Sequence, residues 1–166
     1  MEYNVRKAEM TDLSRIEEIY AYARGFMRAH GNPNQWGIHH PPRDQLVRDI
    51  DEGTLYVIEK ENIARGVFFF SVGEDPTYTV IEGGSWRSEE PYGTIHRIAG
   101  DGSGGILKTA VAFAGTIISH IRIDTHKDNR VMQNALLKLG FVYRGIIHIA
   151  DGSPRLAYDK LSETKE

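Results

Sequence analysis

The segment from Thr94 to Thr125 holds the residues of this sequence that are best suited to chemistry. An alternating apolar run is followed by four glycines in the six positions 100–105, then by an apolar stretch of helical length and a second alternating run. This order predicts a strand, a glycine-rich turn, a helix and a further strand. Because a glycine turn that opens a helix presents backbone N–H groups at the positive end of the helix dipole, it suits an anionic phosphate group.

One ligand that fits this turn is a dinucleotide. Gly100, Gly102 and Gly105 match the G-x-G-x-x-G pattern of dinucleotide-binding proteins. Asp124 ends the next strand about 20 residues later, where an acid would bind a ribose. However, a dinucleotide-binding fold normally begins with this unit and continues through further β-α repeats, whereas here a long segment precedes it. A plain surface turn before a core helix is another interpretation.

Length, composition and charge limit the remaining functions. The 166 residues fit a single domain spanning 1–166, with 40% apolar and 26% charged residues. The formal net charge of −3 does not favour nucleic-acid binding, no apolar run is long enough to cross a membrane, and the first residues lack the apolar core of a signal peptide. The chain has no cysteine, and its histidines lack the spacing of a metal site. We therefore expect a cytoplasmic protein without metal, nucleic-acid or membrane partners.

The elements around the glycine segment follow from apolar periodicity and from helix and turn signals. Two helices are predicted before it, one capped by Thr11 or Asp12 and one that follows Pro41-Pro42 and ends at Gly53. A further helix, after it, is capped by Asp128 and stopped by Gly140. The order of elements indicates a mixed α/β domain with a largely antiparallel sheet. The predicted strands outside the glycine segment are Glu2–Lys7, Leu55–Glu59, Ile63–Val72, Tyr78–Glu82, Phe141–Ile149 and Arg155–Asp159.

The chain resembles the GNAT superfamily of acetyl-CoA-dependent N-acyltransferases in nearly its full order of elements. The similarity is sharpest from His96 to Tyr158, where HRIA, the glycine turn, a long helix, RIDTHKDN, a helix ending in KLGF and a closing hairpin follow one another. Its most specific part is Asp128-Asn129, followed eleven residues later by Gly140-Phe141. The resemblance implies a GNAT-like fold with a central, largely antiparallel mixed sheet of about seven strands, flanked by about four helices.

The resemblance also implies where acetyl-CoA would bind. In the superfamily, backbone N–H groups of a Q/R-x-x-G-x-G/A turn hold the pyrophosphate of coenzyme A, and the pantetheine arm pairs with a bulged strand that splays from its neighbour. This chain lacks the usual Gln or Arg of that turn, so backbone donors would carry the binding. The residues that the resemblance assigns to the cofactor are Ile98, Ala99, Gly102, Ser103, Gly104, Gly105, Ile106, His126, Asn129 and Met132.

Candidate catalytic residues follow from the needs of acetyl transfer to an amine. The amine needs a base, the oxyanion needs donors such as a backbone N–H near Ile98, and the leaving thiolate benefits from a proton. His96, in the strand before the glycine turn, and Glu82, at the end of a neighbouring predicted strand, are the candidate bases. The usual acid of the superfamily is a tyrosine at the position of Leu136, and Tyr143 is the candidate substitute here.

The resemblance further implies that the first two helices and their connecting loop cover the acceptor. Trp36 in that loop and Trp86 in a second polar loop are candidate walls of the acceptor site, because an exposed tryptophan is costly unless it packs or binds. The glutamates Glu82, Glu89 and Glu90, with the negative net charge, favour a cationic acceptor.

We therefore expect an N-acetyltransferase that moves the acetyl group of acetyl-CoA to a primary amine of a small molecule or peptide. Direct attack in a ternary complex is expected because no cysteine is present to form a covalent intermediate. The resemblance also allows a homodimer. The alternatives are a non-catalytic acyl-CoA-binding or regulatory module and a dinucleotide-binding oxidoreductase.

Overall fold

The computed structural model describes residues 2–162 as seven strands and four helices around one sheet. This composition confirms the mixed α/β architecture predicted above. No helix of the described residues is long and apolar enough to span a membrane. The strands are β1 (Asn4–Lys7), β2 (Leu55–Lys60), β3 (Ile63–Val72), β4 (Gly93–Gly100), β5 (His120–Thr125), β6 (Val142–His148) and β7 (Pro154–Leu161), and the helices are α1 (Leu13–Ala29), α2 (Arg43–Asp51), α3 (Ile106–Ile117) and α4 (Arg130–Lys138).

The sheet is almost entirely antiparallel. Its strand order is β1-β2-β3-β4-β5-β7-β6, and within residues 2–162 only β4 and β5 pair in parallel. Dinucleotide-binding proteins of the G-x-G-x-x-G type are built on a mostly parallel, doubly wound sheet. The dinucleotide interpretation of the glycine turn is therefore wrong.

The parallel strands β4 and β5 separate soon after they pair. Their register consists of Gly93 opposite Ile121 and Thr94 opposite Arg122, both near the beginning of the strands. Beyond these pairs the two strands diverge, which opens a wedge toward the glycine turn. The splay that the resemblance implies is thus present.

A bulge in β4 accompanies this separation. On the neighbouring β3, Val67 lies opposite Ala99, whereas Phe69 lies opposite His96, so β4 contains one extra residue between these pairs. Arg97 takes up the extra length with a φ of 50°, which is uncommon for a residue with a Cβ. The bulge re-aims the side chains of β4 at the point where the wedge begins.

Apolar side chains cover both faces of the sheet. The core between the sheet and helices α3 and α4 includes Leu136, which is fully buried, and the core beneath α1 and α2 includes Ile16. Phe68 belongs to the first core and Val67 to the second. A strand that is buried on both faces must be central, and β3 lies between β2 and β4 in the sheet.

The predicted strand Tyr78–Glu82 is wrong. Pro76–Tyr78 forms a 3₁₀ turn instead, because Pro76 suits its first position and the Asp75 carboxylate accepts the Thr77 N–H. The segment that follows touches the sheet at a single bridge from Glu82 to Ile146 of β6. This segment therefore borders the sheet without forming one of its strands.

The cap of α4 also differs from the prediction by one residue. The Asn129 side chain, not that of Asp128, accepts the Met132 N–H at 3.1 Å. The oxygen of an amide side chain can cap the helix while its N–H₂ group donates to another residue, here Gln35.

Candidate functional site

Two cavities flank the wedge between β4 and β5 and meet at its mouth. The larger has a volume of about 630 Å³ and lies among the α1–α2 loop, β4, β5 and the β6–β7 turn. The smaller, of about 320 Å³, lies among α1, the glycine turn, α3 and α4. The residues that line both cavities are Met27, Ile98, Asn129 and Met132. A ligand in the wedge would therefore be accessible from two opposite sides.

The glycine turn forms one end of the smaller cavity. Gly105, with a φ of 82°, precedes the first residue of α3, and Gly102 has a φ of 97°. This left-handed backbone favours glycine at position 102, and a Cβ atom there would also lie 2.7 Å from the Tyr22 hydroxyl. The first turn of α3 contributes Ile106 and Leu107 to the cavity, and the N–H groups of this turn have no partner within the helix.

Asp101 holds the glycine turn in place through a hydrogen bond and two ion pairs. Its carboxylate accepts the Ser103 N–H at 3.0 Å and bonds to Arg15 and Arg65 at 2.9 and 3.2 Å. Burial alone would raise the pKa of Asp101, but the bonds from Ser103 and Arg65 outweigh burial and lower it. The Ser103 N–H is thus already used within the turn. Arg15 also forms an ion pair with Glu18 at 3.2 Å, so two carboxylates balance the two guanidinium groups at the base of the turn.

The remaining wall of the smaller cavity is apolar and open to solvent. Tyr22 and Phe26 of α1 and Val131 of α4 are exposed apolar residues, yet all three line this cavity. Exposed apolar side chains that converge on one groove are typical of a binding surface. The smaller cavity therefore combines backbone N–H donors at one end with an apolar wall along its length.

The larger cavity contains a histidine between two carboxylates. His96 Nε2 lies 2.7 Å from Asp75 Oδ2, and His96 Nδ1 lies 3.7 Å from Asp124 Oδ2. The Tyr78 hydroxyl donates to the same Asp124 oxygen at 2.7 Å. β4 and β5 supply His96 and Asp124, and the 3₁₀ turn described above supplies Asp75. His96, Asp75 and Asp124 all line the cavity.

The ionisation of Asp75 fixes the proton on His96. Burial would raise the pKa of Asp75, but hydrogen bonds from His96 and Thr77 outweigh it and lower the pKa to about 2. An ionised carboxylate only accepts hydrogen bonds, so His96 Nε2 must carry a hydrogen. In the neutral ring, Nδ1 is then the free acceptor and faces Asp124. This arrangement leaves a proton-accepting nitrogen beside a carboxylate oxygen, with a gap between them.

Residues of the α1–α2 loop form another wall of the larger cavity. Trp36 packs edge-on against Tyr20, with ring centroids 5.6 Å apart, and His40 follows it in the same wall. Burial and the nearby positive charges of Arg97 and Arg155 lower the pKa of His40. His40 is therefore mostly neutral at pH 7.

A bridge of amide side chains joins this loop to α4 at the junction of the two cavities. Gln35 Oε1 accepts hydrogen bonds from Asn32 Nδ2 at 2.9 Å and from Asn129 Nδ2 at 3.0 Å. Asn129 is buried and lines both cavities while it caps α4. The bridge holds the loop against the helix, so the cap of α4 also positions the cover of the wedge.

Two of the predicted catalytic residues lie outside both cavities. The Glu82 side chain is 64% exposed and its nearest basic group is His148, at 4.0 Å. Glu82 does not reach the wedge because the segment before it is a turn and not a neighbouring strand of β4. Tyr143 is 46% exposed and packs edge-on against Tyr158 on the outer part of the sheet. The fully buried Leu136 offers no acid either.

Two further predicted site residues lie outside these two cavities and make local structural contacts. Trp86 donates to the Tyr78 carbonyl at 2.8 Å and its ring stacks on the Arg122 guanidinium at 4.1 Å, so it anchors its loop. His126 Nδ1 accepts the Asp128 N–H at 3.0 Å, which stabilises the turn before α4. Neither residue lines the larger or the smaller cavity.

The other predicted site residues converge on the wedge. Trp36 and His96 line the larger cavity. The glycine turn places Gly104 and Gly105 next to the smaller cavity, with Tyr3 donating to the Gly104 carbonyl at 2.7 Å. The predicted cofactor residues that line the smaller cavity are Ile98, Ala99, Gly102, Ser103, Ile106, Asn129 and Met132.

Sequence reasoning missed Asp75, His40 and Arg155, and it gave Asp124 a ribose-binding role that the fold excludes. Asp75-Pro76 is a turn-initiating pair, which could have signalled a capping carboxylate before a turn. Nothing in the sequence pattern brings that turn to His96, because the contact spans 21 residues. Arg155, at the start of a predicted strand, carried no distinguishing signal.

Comparison with solved structures identifies the fold. The structure superposes with a TM-score of 0.87 on an acetyltransferase of the GNAT family from Streptococcus agalactiae, at 28% identity, covering 98% of this chain and 96% of that one. A GNAT-family acetyltransferase from Listeria monocytogenes gives 0.71 at 20% identity, covering 96% and 95%. yncA from Salmonella typhimurium, solved with its cofactor acetyl-CoA, gives 0.60 at 14% identity, covering 100% and 98%. No family model and no curated protein matches the sequence.

The chain therefore has the fold of the GNAT superfamily, as its sequence resemblance implied. The splayed pair β4 and β5, the bulge and the glycine-opened helix are the parts of that fold around which the two cavities form.

Proposed function

We propose that this protein is an N-acetyltransferase that transfers the acetyl group of acetyl-CoA to a primary amine of a small molecule or peptide. The observation that carries the proposal is the meeting of the two cavities at the wedge, with backbone donors on one side and the His96 network on the other. Two substrates that enter from opposite sides would meet there for direct transfer.

The smaller cavity fits coenzyme A in chemistry and in shape. The free N–H groups at the first turn of α3 and the positive end of the helix dipole suit a pyrophosphate. The apolar wall suits the rest of a long, partly apolar molecule. When bound, acetyl-CoA supplies the activated acetyl thioester.

The amine would be held and deprotonated by His96 and Asp124. An alkyl amine is mainly an ammonium ion at pH 7. That ion could donate one hydrogen bond to His96 Nδ1 and another to Asp124 Oδ2, across the gap of 3.7 Å between these atoms. His96 Nδ1 then takes the proton, and the resulting imidazolium lies between Asp75 and Asp124, which favour its charge.

The remaining charges are handled mainly by backbone groups. As the new C–N bond forms, a backbone N–H near Ile98 at the bulge donates to the carbonyl oxygen, on which negative charge develops. The C–S bond then breaks, the sulfur leaves as a thiolate, and the positively charged nitrogen releases its second proton to water, which leaves a neutral amide. The thiol of cysteine has a reference pKa of about 8.5, so a thiolate is stable enough to leave without an acid. This route needs no tyrosine at the position of Leu136.

The test is calorimetric titration with acetyl-CoA, with NAD and NADP as controls, followed by an amine screen that detects the released thiol. Binding of acetyl-CoA with amine-dependent thiol release supports the proposal. Binding without release for any amine would instead favour the non-catalytic acyl-CoA-binding module. Absence of acetyl-CoA binding would refute both.

A further inference from the structure

Arg155 is a buried positive charge on the wall of the larger cavity. It is 7% exposed and lies at the start of β7, beside the β6–β7 turn. Its guanidinium donates to the carbonyl groups of Pro154 at 2.9 Å and Gln35 at 3.4 Å. These two bonds use only part of the hydrogen-bonding capacity of a guanidinium, which has five N–H donors.

The charge of Arg155 has no carboxylate partner in contact among residues 2–162. Arg97, in the same cavity wall, forms an ion pair with Asp49 at 2.7 Å. Arg122 is the other buried arginine without a carboxylate in contact, but the rings of Trp86 and Tyr92 cover it, at 4.1 and 3.9 Å from the ring centroids. Arg122 lines a separate cavity, whereas Arg155 lines the larger cavity that contains His96 and Asp124.

A ligand carboxylate could supply the ion-pair partner that the buried guanidinium of Arg155 lacks among the described residues. Arginine does not lose its proton in proteins, so burial leaves its charge partly desolvated. Burial lowers the pKa of Arg155, and the nearby carboxylates of Asp124 and Asp151 offset this only in part, since neither is in contact with the guanidinium. A carboxylate from a ligand would compensate the charge and match the guanidinium with two parallel hydrogen bonds.

The position of Arg155 relative to Asp124 limits the kind of carboxylate. In the register of β5 and β7, Asp124 lies opposite Ala157, so Arg155 is its diagonal neighbour on the same face of the sheet. Such diagonal neighbours are about 7–8 Å apart, with a somewhat shorter distance between their Cβ atoms. A molecule whose ammonium and carboxylate groups are joined through a single carbon atom could bond to both side chains across that distance.

We infer that Arg155 binds a carboxylate of the acceptor, and that the acceptor is an α-amino acid or a close analogue with the amine next to the carboxylate. This inference rests on the proposed function. It replaces the expectation of a cationic acceptor, because Glu82, Glu89 and Glu90 do not line the larger cavity, whereas Arg155 does. In this arrangement Asp124 and His96 hold the ammonium group while Arg155 orients the molecule.

The experiment compares matched acceptors and matched variants. The standard α-amino acids are screened with acetyl-CoA, and each one that reacts is compared with its primary amide and its decarboxylated amine. The variants are Arg155→Lys, Arg155→Met and, as a surface control on α2, Arg48→Met. Circular dichroism and thermal unfolding establish that each variant is folded.

We expect the amino acid to exceed its amide and its decarboxylated amine in kcat/KM by about 100-fold or more. Arg155→Met should lower kcat/KM for the amino acid by a similar factor and change it for the decarboxylated amine by less than about threefold. Arg155→Lys should recover part of the loss, since it keeps the charge without the planar fork. Equal use of all three acceptors, or an equal effect of Arg155→Met on all three, would overturn the inference and leave the transferase proposal intact.

A protein that acetylates no amine at all would refute the proposed function, and the carboxylate site would then be judged by binding alone. In that case, ¹H–¹⁵N NMR titration of wild type and Arg155→Met with the same amino acids decides. Saturable shifts in wild type only would support a carboxylate site at Arg155, and their absence in wild type would overturn it.

Discussion

The two cavities that meet at the wedge are lined by different kinds of chemical groups. The smaller one relies on backbone groups, three left-handed or tightly packed positions of the glycine turn and an apolar wall, whereas the larger one is lined by charged side chains from distant parts of the chain. A site made of backbone donors tolerates changes of side chain, and a site made of charges does not. This difference explains how the smaller cavity can keep its character without the Gln or Arg usual in the glycine turn.

The strongest test of this difference is His96→Gln in the larger cavity. The glutamine keeps polarity but cannot take the proton, so kcat/KM should fall by about 10²–10⁴-fold. The dissociation constant for acetyl-CoA should stay within about threefold, because His96 does not line the smaller cavity. Steady-state kinetics and calorimetry measure the two quantities. A parallel loss of acetyl-CoA affinity would mean that the cavities are not separable.

The smaller cavity is tested by Gly102→Ala against Gly104→Ala. Gly102 has a φ of 97° and a Cβ there would meet Tyr22, whereas a Cβ on Gly104 would have no atom within 4 Å. We expect Gly102→Ala to lower the free energy of unfolding by about 1–2 kcal/mol and Gly104→Ala to change it by less than about 0.5 kcal/mol. Urea unfolding of the ligand-free variants measures both. Equal effects would argue against a strained left-handed turn.

A pH dependence of stability is expected from Asp75. Its pKa is about 2 in the folded protein and 3.8 in the reference state, so its ionised form stabilises the fold above pH 3.8, and this contribution is lost as the pH falls toward 2. Between pH 5 and pH 3 the loss should be on the order of 1 kcal/mol. We expect the difference in unfolding free energy between wild type and Asp75→Asn to shrink by that amount over this range. A difference that does not change with pH would contradict the ion pair with His96.

The smallest effects are expected at residues that the sequence favoured but that lie away from both cavities. Tyr143→Phe and Glu82→Gln should each change kcat and KM by less than about threefold, because neither side chain lines a cavity. A large loss in kcat for either variant would mean that the proposed proton path through His96 is wrong.

The fold was predictable to a large extent because its signals are local. Apolar periodicity placed the helices and most strands, and the glycine turn and the Gly-Phe pair identified the arrangement around β4, α3 and α4. The exception, Tyr78–Glu82, has the alternation of a strand. There the Asp75 cap and Pro76 start a 3₁₀ turn, a local signal that outweighs the alternation.

The candidate site was predictable where a local motif or the family resemblance marked it, as for the glycine turn, Asn129 and Trp36. His96 and the glycine turn lie within a few residues of each other in the sequence, so both were found. Asp75 and Arg155 join them only after the chain has folded, since Asp75 is 21 residues from its partner His96, and Gln35, which contacts Arg155, is 120 residues away.

The sequence by itself therefore determined the order of elements, the glycine turn and the presence of a histidine in the strand before that turn. The tertiary structure alone decided which carboxylates face that histidine. It also placed the guanidinium of Arg155 on the wall of the larger cavity without a carboxylate of residues 2–162 in contact. The physical reason is that local propensity and apolar periodicity act over a few residues, whereas the charge and burial of a site depend on strands and loops that are brought together from the whole chain.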